Sequence, residues 1–152
     1  MASTRLGLYN EALTRVGERL LASLTEEREP RRLLDQVWNE DGVKKCLEMG
    51  QWHFAMRTVQ VDSDPAQETP FGYANTFNKP SDWVLTSALC SDEYFRQPLL
   101  AYSDEADLWY ADENIIYVRY VSNDEDYGQD LNNWPGSFED YVAAHFAFKI
   151  AP

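Results

Sequence analysis

Apolar residues recur at helical spacing near the start of the chain. They follow one another at intervals of three or four residues: Leu6, Tyr9, Leu13 and Val16. This spacing predicts a helix over residues 4–16. Ser3 or Thr4 can cap its start, and Gly17 can end it.

A second helix is predicted over residues 30–50. Pro30 suits the first helical position, and the glutamates before it place negative charge at the positive end of the helix dipole. The apolar face consists of Leu34, Val37, Trp38, Cys46 and Leu47. Gly42 weakens the middle of this helix, and Gly50 can end it. We expect the two helices to pack antiparallel.

After Gly50 the apolar spacing changes towards the two-residue period of strands. The pattern predicts strands over residues 55–61, 84–89, 95–102, 108–111 and 115–121. Asp112, Glu113 and Asn114 separate the last two, and a connection of this length favours a hairpin. The last segment is apolar or aromatic except for Arg119, which predicts a central strand covered on both faces.

A final helix is predicted near the C-terminus, where Ser137 and Asp140 form a pattern similar to a capping box. One stripe of this helix contains Phe138, Tyr141, Val142, His145 and Lys149. The predicted fold is therefore α+β: helices at both ends form a bundle, and a small antiparallel β-sheet region lies between them. We expect a single domain over residues 1–152, made of these parts: helical segments at 1–51 and 136–152, and a β region at 52–135.

The charge of the chain narrows the classes of function. Its 152 residues include 26 Asp and Glu against 13 Lys and Arg, a formal net charge of −13. Such a surface repels nucleic-acid phosphates and anionic membranes, so we expect neither as a binding partner. Aromatic residues make up 14% of the chain, enough to argue for an ordered core. No apolar run suggests a signal sequence or a membrane span, so we expect a soluble protein made in the cytoplasm.

Residues suited to chemistry are sparse. His53 and His145 have no Cys or His neighbour at metal-ligand spacing, so we expect no zinc site. Cys46 and Cys90 form no CxxC pair, which is typical of buried thiols in a reducing compartment. The acidic run that begins at Asp124 does not fit a calcium-binding EF-hand loop, because its sixth and twelfth positions are not glycine and glutamate. We expect no catalytic, cofactor-binding or metal-binding residues.

The segment WHFAMRTVQV, residues 52–61, is the densest group of bulky side chains in the chain. We interpret it as a packing junction that joins the helical part to the sheet, with Arg57 left over for a neighbouring subunit. Glu48, close to this group, is the one acid that could serve as a catalytic carboxyl, although an exposed helix glutamate is the favoured interpretation.

Residues that dominate protein interfaces occur in apparent loops and at helix starts. The candidate contacts with other subunits or partners are Arg31, Arg32, Arg57, Tyr94, Phe95, Arg96 and Trp134. These residues favour a binding module over an enzyme.

Five stretches of the chain, taken in their order, are similar to those of a known protein family. They are LYNEALTRVGERLLASLTEEREPRRLLDQVW, CLEMGQWHFAMRTVQV, YANTFNKPSDWV, CSDEYFRQPLLAYSDEADLWYADENIIYVRYV and WPGSFEDYVAAHFA. Together they extend over nearly all of residues 8–147, and in this order the chain resembles the tail tubular protein A family of tailed bacteriophages.

The resemblance implies a structural virion protein, the head-to-tail connector or adaptor. Copies of such a protein, typically a dodecamer, form a ring between the portal protein and the tail nozzle, and the genomic DNA passes through the channel without specific binding. The resemblance implies a location in the tail or neck of the virion, with assembly in the host cytoplasm. In this family the helices usually face the portal and form the ring, and the β region packs against neighbours and the tail component below.

The acidic excess fits such a channel. We expect Asp124, Glu125 and Asp126 to face the lumen, where they would repel DNA at short range. Arg31, Arg32 and Arg57 are then candidates for ion pairs between subunits. The alternatives are a tail-associated peptidoglycan hydrolase, with Glu48 or another acid as its catalyst, and a small host-directed regulatory protein.

Overall fold

The computed structural model describes residues 4–152 and has a mixed α+β fold, with four α-helices and two small antiparallel sheets. The helices are α1 (Arg5–Val16), α2 (Glu29–Asn39), α3 (Gly42–Leu47) and α4 (Gly136–Ile150). The strands, which lie between α3 and α4 in the chain, are β1 (Met56–Asp62), β2 (Asn75–Asn78), β3 (Trp83–Cys90), β4 (Tyr102–Glu105), β5 (Leu108–Ala111) and β6 (Ile115–Ser122).

Helix α1 confirms the first predicted helix. The Thr4 hydroxyl oxygen accepts a hydrogen bond from the amide of Gly7 at 3.0 Å and so caps the start of the helix. Gly17 follows the last turn with a φ of 77°, a left-handed conformation that glycine adopts without strain. The other predicted cap, Ser3, lies outside the described residues.

The second predicted helix is wrong as a single element, because α2 and α3 are separate helices. Asp41 lies between them with a φ of 61°, and the chain changes direction there. A Cβ atom on Gly42 would lie 2.7 Å from the carbonyl oxygen of Val37 and 2.9 Å from the ring of Phe146. Only glycine therefore allows this close turn, in which both α2 and α3 pack against α4.

Helix α4 contacts each of the other three helices and forms the middle of the helical core. Its buried face consists of Phe138, Glu139, Val142, Ala143, Phe146 and Ala147. The predicted stripe is therefore only partly right: Tyr141 and His145 are half-buried, and Lys149 is exposed.

The predicted capping box at the start of α4 is wrong. The helix begins at Gly136, one residue before Ser137, and the residue before it is Pro135. The carbonyl oxygen of Pro135 accepts the amides of Phe138 and Glu139, both at 3.0 Å. Backbone groups therefore start α4, and no side chain of the described residues caps this helix.

The strands form two three-stranded sheets, with the orders β1-β6-β3 and β2-β5-β4. Strand β6 is central in its sheet, as predicted. The prediction that both of its faces are covered is wrong, because Ile115 and Arg119 are exposed and Tyr117 is half-buried on the same alternate face. Ile116, Val118 and Tyr120 of β6 belong to one buried cluster with Phe77 and Trp109 of the other sheet. The two sheets therefore pack face to face around a second core, separate from the helical one.

The predicted hairpin between β5 and β6 is wrong, because these strands belong to different sheets. The residues that link them are bound to the start of β2. The side-chain amide of Asn75 donates to the carbonyl oxygen of Glu113 at 2.8 Å, and the Asp112 carboxylate accepts the Ala74 amide at 3.0 Å. These bonds hold the link against β2, and the chain passes there from β5 of one sheet to β6 of the other.

The strand predicted over residues 95–102 is also wrong, since β4 begins only at Tyr102. The residues before it form a loop in which Phe95 has a left-handed φ of 56°. Strand β2 was not predicted, because Phe77 is its single large apolar residue in a run of polar ones.

The junction predicted for residues 52–61 is confirmed. The ring of Trp52 lies 4.8 Å from that of Phe138 on α4, and its indole nitrogen donates to the carbonyl oxygen of Cys46 on α3 at 3.2 Å. Met56 begins β1 and pairs with Val121, which belongs to the helical core. The bulky segment therefore packs the helices against one end of the first sheet.

An acidic contact joins α1 to α4. One carboxyl oxygen of Glu11 and one of Glu139 are sealed from solvent. Burial raises the pKa of Glu11 to about 7, and the hydrogen bond and charge of Glu139 and the charge of Asp140 act in the same direction. The folded chain therefore holds a proton that an unfolded chain releases near pH 4.5, and this contribution to stability falls as the pH rises towards 7.

Candidate interaction surfaces

The acidic loop, residues 122–130, connects β6 to the turn before α4. A carboxylate oxygen of Asp124 accepts the amide of Asp126 at 2.9 Å, and its carbonyl oxygen accepts the amide of Tyr127 at 3.0 Å. These short-range bonds are the local turn chemistry that aspartate favours. Asp124 is half-buried, whereas Glu125 and Asp126 are exposed. The loop therefore presents carboxylates to solvent on an ordered backbone.

Trp134 and Gly128 fix the loop to the helical core. The indole nitrogen of Trp134 donates to the carbonyl oxygen of Gly128 at 2.9 Å, and its ring lies 4.9 Å from that of Phe138. A Cβ atom on Gly128 would lie 2.1 Å from the carbonyl oxygen of Ser122, so this approach requires glycine. Trp134 is 4% exposed. The prediction that it contacts a partner needs correction, because its ring is buried within the chain.

Arg57 fixes the other side of the acidic loop. Its guanidinium donates to the Asp82 carboxylate at 2.8 Å and lies 5.1 Å from the centre of the Tyr127 ring. The side chain of Arg57 is 35% exposed. The interpretation of Arg57 as left over for a neighbouring subunit is therefore corrected: its first partner is in its own chain, and a contact between subunits stays a prediction.

Asp82 is the centre of this network. Besides Arg57, its carboxylate accepts the hydroxyl of Tyr120 at 2.9 Å and that of Ser122. Burial alone would raise the pKa of Asp82, but the hydrogen bonds from Ser122, Arg57 and Tyr120 outweigh burial and hold the pKa below its ordinary value. Asp82 therefore stays charged and ties β1, β6 and the acidic loop together.

The arginines of α2 differ in what they contact. Arg31 donates to Asp35 at 3.0 Å and to the carbonyl oxygen of Glu26 at 2.9 Å. Asp35 also accepts hydrogen bonds from Arg5 and Tyr9 on α1, so this network ties α1 to α2. Arg31 thus has a structural role in the chain.

Arg32 points outwards. Its side chain is 58% exposed, and its contact with Glu29 is 3.6 Å long and lies on the helix surface. Of the three predicted inter-subunit arginines, Arg32 is thus the most accessible to a neighbour.

The loop of residues 91–98 brings Tyr94, Phe95 and Arg96 together. A carboxylate oxygen of Asp92 accepts the amide of Arg96 at 3.0 Å, which shapes the turn. Tyr94 is 70% exposed, and the Arg96 guanidinium lies 5.6 Å from the centre of its ring. Arg119 of β6 lies 4.6 Å from the centre of the Phe95 ring. This loop therefore offers an exposed tyrosine and arginine on a bonded turn.

Glu48, the one acid named as a possible catalyst, lies on the surface. Glu48 is exposed and lines a cavity of about 420 Å³ with Lys44 and Asp107. The acid of a glycosidase needs burial near a second carboxyl, and Glu48 is not buried. Cys46 and Cys90 are buried free thiols, and burial raises the pKa of Cys46 to about 11.

Residues 4–152 contain no group of three or more His, Cys, Asp or Glu side chains arranged to hold a metal ion. In the same range, no helix has both the length and the apolar character that crossing a bilayer requires.

The structure therefore collects three predicted features at one place: the acidic loop, Arg57 and Trp134. Asp82 and Tyr120, which complete the site, were not predicted. Asp82 is 25 positions from Arg57, and nothing local in the sequence indicates that the two side chains meet.

Comparison with models of known protein families finds no match to this chain, and comparison with curated proteins finds none either.

Proposed function

We propose that this chain is a structural head-to-tail connector of a tailed bacteriophage, which forms a ring between the portal and the tail nozzle. The ordered likeness of five sequence stretches to the tail tubular protein A family carries this proposal. The ring, typically a dodecamer in that family, assembles in the host cytoplasm and then belongs to the neck of the virion. The chain has no catalytic duty in this proposal.

The acidic loop gives the proposal a physical role. Asp124, Glu125 and Asp126 face the lumen, and their carboxylates repel the phosphates of passing DNA. This repulsion is screened beyond about 8–10 Å at physiological salt, so it acts only close to the wall. The bonds from Trp134 and the position of Arg57 support this role, because a wall that DNA slides past needs fixed charges.

In this proposal the helices form the part of the subunit that faces the portal and builds the ring. The β region packs against neighbours and the tail component. Arg32, Tyr94 and Arg96, which are exposed, are the candidate contacts with neighbours and partners, and Phe95 between the last two is half-buried. Arg31 and Arg57 support these surfaces from within the chain.

Light scattering of the purified protein, with and without the portal protein of the same genome, tests the proposal. We expect a monomer or weak oligomer alone and a ring on the portal, because such proteins often order segments as they dock. A stable ring without portal would refute the dependence on docking. Lysis of purified peptidoglycan, without any assembly on portal, would instead support a hydrolase.

A further inference from the structure

Most basic side chains of residues 4–152 already have a partner within the chain. Each Arg or Lys either forms an ion pair with a carboxylate or lies over an aromatic ring, with three exceptions. In this described part of the chain, the exceptions are Lys44, Lys45 and Lys149. In a protein of net charge −13, unpaired cations close to one another are an unusual surface.

Two of these lysines lie on helices that pack together, α3 and α4, and His145 lies on α4. Lys45 lies in the last turn of α3 and Lys149 in the last turn of α4. Burial lowers the pKa of His145, and the positive charges of Lys149 and Lys45 lower it further. The imidazole is therefore neutral near pH 7, and the positive charge of this surface comes from the two lysines.

An exposed apolar side chain also lies near the C-terminal end of each of these two helices. Phe148 is 76% exposed and follows His145 by three residues on α4, and Lys149 follows His145 by four, so each of the two is a helical neighbour of His145. Met49 is 66% exposed and follows the end of α3, where its amide bonds to the carbonyl oxygen of Cys46. We name this surface the basic face: Lys45, Met49, His145, Phe148 and Lys149.

A surface of the opposite character lies at β4, an edge strand of the second sheet. Leu100 and Tyr102 are 98% and 39% exposed, and Glu105 and Asp107 beyond them are also exposed. We name this surface the acidic edge: Leu100, Tyr102, Glu105 and Asp107.

Lys79 fixes the backbone of this edge. Its ammonium bonds to the Asp104 carboxylate and to the carbonyl oxygen of Ala106, and it lies 3.7 Å from the centre of the Trp83 ring. The acidic edge is thus a preformed surface, which lowers the entropy lost when a partner binds.

We propose that the basic face of one copy docks on the acidic edge of a second copy. Each surface combines two exposed apolar side chains with two charges, and the charges are of opposite sign. The proposal rests on the ring proposed above and names the contact by which adjacent subunits meet. Two different surfaces make a head-to-tail contact, which is the type that closes rings.

The charge of the chain explains why this contact would be selective. Because acidic residues outnumber basic ones by 26 to 13, most other pairings of the surface bring carboxylates of two copies together, and like charges oppose association. The lysines of the basic face have no carboxylate partner among residues 4–152, so they are free to attract the carboxylates of a neighbouring copy. Phe148 and Met49 add apolar area, which supplies affinity that the exposed ion pairs alone would not.

Charge reversal tests the contact. Lys45→Glu with Lys149→Glu should weaken association between copies by about ten-fold or more, because two attractive pairs become repulsive. Adding Glu105→Lys with Asp107→Lys to the same chain should restore association. Arg15→Glu with Arg19→Glu is the control, since it changes the net charge equally on another surface. Assembly is measured by sedimentation velocity at high protein concentration and on the portal, with the melting temperature of every variant.

Covalent capture provides a second measurement. When a mild oxidant is added, a Lys149→Cys chain mixed with a Glu105→Cys chain should give disulfide-linked dimers, whereas Arg19→Cys mixed with Glu105→Cys should not. The native thiols Cys46 and Cys90 are buried and remain unreactive in the wild-type control.

The outcomes separate the two proposals. The contact is supported if the wild type assembles, the variant with both lysines reversed does not, and the variant with all four charges reversed assembles again. If the reversed variant assembles like wild type, the contact is refuted while the connector proposal stands. If the two lysine substitutions weaken assembly and the added Glu105→Lys and Asp107→Lys do not restore it, the basic face does not dock on the acidic edge. The contact is then refuted. A wild type that does not assemble, even on portal, refutes both proposals.

Discussion

Arg57→Ala removes the cation that fixes the acidic loop and leaves Asp82 without its charged partner. The Asp82 side chain is 12% exposed, so water can replace the guanidinium only in part. Removing one partner of a fully buried pair costs about 3–5 kcal/mol. Asp82 keeps the hydroxyl donors of Tyr120 and Ser122, and Arg57 is itself partly exposed. We therefore expect a loss of about 2–3 kcal/mol in the free energy of unfolding.

Thermal and urea unfolding, followed by circular dichroism, measure this loss. For a chain of this size it corresponds to a decrease in melting temperature of about 5–10 °C. Arg32→Ala is the control, because its surface pair with Glu29 should be worth less than about 1 kcal/mol. Adding Asp82→Asn to Arg57→Ala should recover part of the loss, since it removes the unpaired charge. Equal melting temperatures for Arg57→Ala and Arg32→Ala would refute the anchoring role.

Two further predictions concern stability. Trp52→Ala should lower the free energy of unfolding by about 2–4 kcal/mol, because the half-buried Trp52 ring packs on Phe138. Phe71→Ala, at a fully exposed site, is the control and should change it little in the same unfolding assay. Similar losses for the two variants would contradict the packing junction. Glu11→Gln should raise stability at pH 8 by about 1–2 kcal/mol, discounted for partial exposure, and should flatten the decline of the melting temperature between pH 4.5 and 7. An unchanged pH slope would show that Glu11 is not the source, and Glu18→Gln is the exposed control.

Local patterns predicted the elements that depend on neighbouring residues. The spacing from Leu6 to Val16 and the cap at Thr4 gave α1 correctly, and the apolar run from Ile115 gave the central strand β6. These features need only the periods of helices and strands and the chemistry of capping. The α+β class followed from the change of period after Gly50.

Contacts between distant residues were not predictable in the same way. The short link after β5 has the length of a hairpin, yet Asn75 binds it and directs the chain into the other sheet. The break at Gly42 depends on the ring of Phe146, more than a hundred positions away. Arg57 looked unpaired because Asp82 approaches it only in the folded chain. Surface roles suggested by residue type therefore need the fold before they can be assigned.

The most direct test of the connector proposal is an electron cryo-microscopy reconstruction of this protein bound to the portal protein of its own genome. We predict a closed ring of copies under the portal, with Asp124, Glu125 and Asp126 on the inner wall of the channel. The absence of a ring on the portal would contradict the proposed function, and a ring with a neutral or basic inner wall would contradict the role given to the acidic loop.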